Sequence, residues 1–150
     1  MTSDILIRYF HFVSIILLLA GVLGQHLLLR RQMTRRAIAQ VQRLDIVYAI
    51  SVLGVLATGL AQWFLVGKPA AFYSSNPVFH TKITLFLLVG LISIWPSVFL
   101  SKQRKGEETE IVAVPKSLVW CVRIELLLLF VMPLLAVLVA KGIGIPPVLK

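Results

Sequence analysis

Few residues in this 150-residue chain can do chemistry: His11, His26 and His80, a lone Cys121, and Asp45, Lys82, Arg123 and Glu125, which stand in or beside apolar runs. Two imidazoles brought together from two helices can hold one metal centre, and a haem between facing helices needs only two such ligands. A zinc site asks for a third or fourth N, S or carboxylate ligand, and none is apparent on the side of His11 and His80. His26 lies about 22 Å along the helix axis from His11, so these two cannot share an ion. A single cysteine excludes an intrachain disulfide and a cysteine-only metal site.

The charged side chains form a second group. An ionisable residue near the centre of a membrane helix costs about 2.5 to 3.5 kcal/mol on insertion scales, which makes each one a functional candidate by default. Glu125 lies about 12 Å into its helix, Arg123 just before it, and Asp45 is expected to open the second helix. In one reading Glu125 moves protons from the cytoplasmic side, with Asp45 and Arg123 as catalytic partners. In the other, Arg123 pairs with Asp45 or a lipid phosphate and Glu125 holds helices in register.

The elements that must position these groups follow from composition. Apolar residues make up 59% of the chain and charged ones 14%, against about 45–50% and 25% in ordinary soluble domains. Four runs reach the roughly 20 apolar residues that cross a bilayer: Tyr9 to Leu29, Leu44 to Val66, Ile83 to Leu100 and Ser117 to Ala140. The expected fold is therefore all-α, one integral membrane four-helix bundle over residues 1–150. The first run is too long for a signal-peptide core and has no small-x-small cleavage site, so it reads as a retained helix.

The net charge of +9 would point to nucleic acid in a soluble protein. Here the cations sit between apolar runs, which excludes that reading. Arg30, Arg31, Arg35, Arg36 and Arg43 follow the first run, and Lys102, Arg104, Lys105 and Lys116 follow the third. The positive-inside rule makes both connections cytoplasmic and the topology N-out, C-out. The outer connection, Gly67 to Thr81, carries turn signals around Phe72 and Tyr73 and is expected to form a short interfacial segment. The stretch from Lys102 to Pro115 has no apolar periodicity and reads as a mobile connector. Gly142 to Pro147 is expected to end the fourth helix and leave the membrane.

Within the first helix, His11, Ser14, Leu18, Gly21 and Gln25 fall on one stripe that must face protein. In the third, Phe86, Gly90, Ser93 and Ser97 share the side of Lys82, with a bend expected at Trp95-Pro96. His11 and His80 both belong to the outer side, which selects them as the ligand pair. The competing reading leaves His11 as a packing residue and His80 as an interfacial histidine.

The chain resembles the bacterial membrane proteins of uncharacterised domain family 2214. The resemblance rests on Arg43-Leu44-Asp45, Gly67-Lys68, Phe72-Tyr73, Asn76 to Lys82, Gly90 to Ser97, Arg123 to Leu126 and Ala140-Lys141-Gly142. Phe10-His11 and His80-Thr81-Lys82 are also similar, at greater distance, to elements of HemJ-type protoporphyrinogen oxidases, whose histidines are associated with b-type haem. CopD-like copper-resistance proteins share the topology, but Met33 and Met132 lie far from His11 and make poor copper ligands here.

These readings predict a b-type haem protein of a bacterial inner membrane, engaged in electron transfer or an oxidoreductase reaction. His11 and His80 would be axial ligands near the periplasmic face, and Lys82 would neutralise a propionate or snorkel to the interface. A quinone or a porphyrin is the expected partner besides membrane lipid, and the small-residue stripes allow a homodimer. The rival expectation is a cofactor-free scaffold or a carrier of small solutes or copper.

Overall fold

A computed structural model describes residues 2–145. Five helices and two short strands follow in the order α1 (Thr2–Leu28), β1 (Gln32–Thr34), α2 (Arg35–Phe64), α3 (Ala70–Ser74), α4 (Pro77–Gln103), β2 (Ile111–Ala113) and α5 (Lys116–Ala140). All but α3 are long and apolar enough to cross a membrane. α1 packs on α2 and α5, and α4 packs on α5 and α2. The helices thus form a ring in which α1 faces α4 across one diagonal and α2 faces α5 across the other.

The four long helices begin before the apolar segments that announce them, and polar groups support the early starts of α1, α2 and α4. Asp4 and Arg8, one turn apart, pair at 2.8 Å in the first turns of α1. Thr34 caps α2 by accepting from the Ala37 amide at 3.2 Å. Asn76 caps α4 by accepting from the Val78 amide at 2.9 Å, and Pro77 follows where its missing N–H costs nothing. The early start of α2 corrects the expected place of Asp45: it sits well inside the helix, 5% exposed, and does not open it.

The connector from Lys102 to Pro115 also departs from expectation. Ile111–Ala113 pairs antiparallel with Gln32–Thr34, Met33 opposite Val112, and the Val114 amide donates to the Arg31 carbonyl at 2.9 Å. The arginine that begins α2 fastens this strap, since Arg35 meets Glu110 at 2.7 Å and the Gln103 carbonyl at 2.7 Å. Three residues are too few for periodicity to register, yet Ile111 and Val112 favour extended backbone. The two basic connections are thereby tied together at one end of the bundle.

The opposite end is closed by α3. Phe79 meets Trp63 edge to face and Tyr73 at a tilt, and Lys68 lies 3.8 Å above the Phe72 ring while donating to the Ala140 carbonyl at the end of α5. Gly142 and Gly144 turn the chain with φ of +70° and +93°, a left-handed path open to glycine at no steric cost, and bring it back over Asn76. Pro146 and Pro147 of the expected exit lie outside the described residues.

The core runs along the bundle axis through Leu18, Val22, Tyr48, Val89, Leu100, Val122 and Leu129. Large apolar side chains such as Phe12, Leu53, Leu91 and Phe130 point outward instead, as a hydrocarbon solvent requires. The small stripe of α1 faces protein as its spacing predicts. At Gly21 an added methyl would stand 3.0 Å from Tyr48 Cβ and 3.2 Å from the Leu44 carbonyl oxygen.

Candidate functional site: a polar centre and a histidine end

The bundle gathers polar side chains from all four long helices, those of α1, α2 and α5 buried and Ser97 of α4 half-buried. Asp45 Oδ1 on α2 accepts from Ser97 Oγ on α4 at 2.9 Å and from Gln25 Nε2 on α1 at 3.3 Å. Tyr48, one turn further along α2, lies with its hydroxyl beside the Glu125 carboxyl of α5 and near Ser93 of α4. Gln25, Tyr48 and Glu125 are no more than 2% exposed. Neither Tyr48 Oη nor Glu125 Oε1 has a hydrogen-bond partner among the described residues.

Asp45 and Glu125 thus come together, while Arg123 stands apart. Two residues along a helix are roughly 200° apart, so the turn that sends Glu125 inward sends Arg123 to the outer surface. There its guanidinium lies 5.3 Å from the centre of the Trp120 ring. The two ion pairs among the described residues, Arg8 with Asp4 and Arg35 with Glu110, are both elsewhere. His26 does not join the centre either, because its neighbour Gln25 occupies the inward position.

Sequence reasoning reached Asp45 and Glu125 through their charge, and Gln25 and Ser97 through their stripes. It passed over Tyr48. The signal was the spacing of Asp45 and Tyr48, which puts both on one helix face.

At the α3 end, His11 Nδ1 lies 2.8 Å from Thr58 Oγ1 on α2. The Thr58 hydroxyl spends its own proton on the Gly54 carbonyl, 2.6 Å away, so it must accept from His11. That fixes the proton on Nδ1 and leaves the Nε2 lone pair free. Gly59 lies beside the ring, where an added methyl would stand at an ordinary contact distance of 3.6 Å from His11 Cε1. Lys82 on α4, half-buried, lies within electrostatic range of His11.

His80 is placed differently. It is exposed, at the first turn of α4, and its Nε2–H donates to the Ser74 carbonyl at 2.7 Å. The structure sets His11 against α2 and His80 against α3, on helices that face each other across the bundle. His80 keeps Nδ1 as its free nitrogen in this arrangement. No group of three or more His, Cys, Asp or Glu side chains suited to a metal ion is present among the described residues.

The family described as "Predicted membrane protein (DUF2214)" matches residues 3–144. No curated protein and no solved structure matches the chain.

Proposed function

From the premise that the chain belongs to the DUF2214 family of predicted membrane proteins, we propose that this multi-pass protein of the bacterial inner membrane binds b-type haem, for electron transfer or an oxidoreductase reaction. The observation that carries this reading is the relay His11 to Thr58 to Gly54. A histidine that ligates a metal commonly donates its other ring N–H to an acceptor that fixes tautomer and orientation, and Thr58 is such an acceptor. His11 would hold the haem iron through its free Nε2. His80 would supply the other ligand once its Nε2 leaves the Ser74 carbonyl.

When bound, haem would supply one-electron chemistry, with a potential tuned by its ligands and its burial. The chain's own residues orient and neutralise: Thr58 holds the His11 ring, and Lys82 offers a cation for a propionate at the interface. The helices leave His11 half-buried, which limits water at the site. Visible spectra of the protein purified from haem-supplemented cells test the reading, with a b-type signal expected in the wild type.

A second reading, a cofactor-free scaffold or small-solute carrier, draws support from the buried Asp45 and Glu125. It calls for a colourless protein whose activity depends on the polar centre and not on His11.

A further inference from the structure

The chain has six acidic residues and buries two of them within electrostatic range of each other. Asp45 is 5% and Glu125 2% exposed, in a bundle core where a carboxylate without a cation is costly. The groups that face Glu125 can be named for each helix. α2 brings Asp45 and Tyr48, α5 itself brings Cys121 one turn away, and behind them the uncharged Gln25 of α1 and Ser97 of α4 meet Asp45 while Ser93 of α4 lies near Tyr48. No lysine, arginine or histidine stands among them, so two full negative charges would face each other without compensation.

The hydrogen bonds divide the pair. Asp45 Oδ1 takes two donors, the amide of Gln25 and the hydroxyl of Ser97, and donors directed at a carboxyl oxygen favour its anion. Glu125 Oε1 takes none. A protonated carboxyl needs no donor on every oxygen and can give a hydrogen bond of its own, and the unpartnered Tyr48 hydroxyl lies alongside to receive it.

We propose that Asp45 and Glu125 form one proton-binding centre inside the membrane bundle, in which Asp45 stays ionised, Glu125 carries the exchangeable proton and Tyr48 is its hydrogen-bond partner. Release breaks the O–H bond of the Glu125 carboxyl, leaves the electron pair on the carboxylate and passes the proton to water. The basic end of the bundle is the nearer exit, since α1 ends at Leu28, one turn past Gln25, and Gln42 extends the polar face of α2 in that direction. The centre does not depend on haem, and its test reads carboxyl groups, so the two proposals fail separately.

The test is infrared spectroscopy of the full chain in lipid nanodiscs, in H2O and D2O, over a pH series at fixed sodium and then over a sodium series at neutral pH. Wild type should show a protonated-carboxyl C=O stretch at neutral pH that vanishes on alkalinisation and is lost in Glu125→Gln. Asp45→Asn removes the neighbouring charge and should move the disappearance to lower pH by about 1 to 3 units, the direction helix packing alone does not predict. Tyr48→Phe should keep the band and shift its frequency, which covers the case in which Asp45→Asn fails to fold. Absence of the band in wild type, its survival in Glu125→Gln, or its loss on adding sodium at constant pH would overturn the proposal, the last by making the centre a cation site.

Discussion

Thr58 accepts the proton of His11 Nδ1 at 2.8 Å while giving its own to the Gly54 carbonyl at 2.6 Å. A single hydroxyl thereby sets the tautomer of the histidine and anchors it to the backbone of a neighbouring helix. Thr58→Val keeps the shape and removes the acceptor. The haem reading predicts that this variant still takes up haem but holds it about 10- to 100-fold more weakly, the range seen when the partner of a ligating group is lost. Haem titration into the apoprotein measures it.

Asp45 is held by one donor from α1 and one from α4. Ser97→Ala leaves a buried carboxyl short of a partner, and the cost should be about 1–3 kcal/mol. Thermal unfolding in detergent followed by helical circular dichroism should show a lower midpoint. Ser51→Ala, whose hydroxyl only returns to the Val47 carbonyl of its own helix at 2.7 Å, should change little.

Two glycines with similar sequence surroundings should behave oppositely. A methyl at Gly21 meets Tyr48 Cβ at 3.0 Å and the Tyr48 amide nitrogen at 3.2 Å, whereas one at Gly90 meets nothing within 4 Å. Gly21→Ala pushes α1 from α2 and should lose about 1–3 kcal/mol through overpacking. Gly90→Ala should be neutral or slightly stabilising, because alanine favours the helix. The same unfolding measurement distinguishes them.

The strap between the basic connections should loosen in acid. The Arg35 guanidinium, hydrogen-bonded to Glu110, holds that carboxyl below its usual range. The contribution is therefore complete above the ordinary value of about 4.3 and is lost as pH falls through the lower folded value. Because Glu110 is exposed and salt screens such pairs, the effect should be local: faster hydrogen exchange at the Val114 amide relative to the α5 core, abolished as a pH effect in Glu110→Gln.

The sequence revealed most of the architecture because a bilayer demands long apolar runs, and all four became helices. The stripe from His11 to Gln25 also reached its place, since 3- and 4-residue spacing on a helix admits only one face. What stayed hidden was set by contacts between distant segments. The local preference of Ile111 and Val112 for extended backbone is too short to mark a strand until Gln32–Thr34 supplies the partner. Asp45 looked interfacial because the apolar run begins beside it, while Thr34 starts the helix more than two turns earlier. Tyr48 drew no notice within its apolar run, and only the inward turn of Glu125 gives its hydroxyl a neighbour. The relation of His80 to Ser74 depends on the α3 fold and could not be read from spacing.

The central claim rests on His11 as an iron ligand. The decisive measurement is the oxidised and dithionite-reduced visible spectrum of the protein purified in mild detergent from haem-supplemented cells, beside His11→Ala and His80→Ala. The account predicts a sharp low-spin b-type signal that is abolished in His11→Ala and loses its low-spin character in His80→Ala. A colourless wild type under full haem supply, or an unchanged spectrum in His11→Ala, would contradict it.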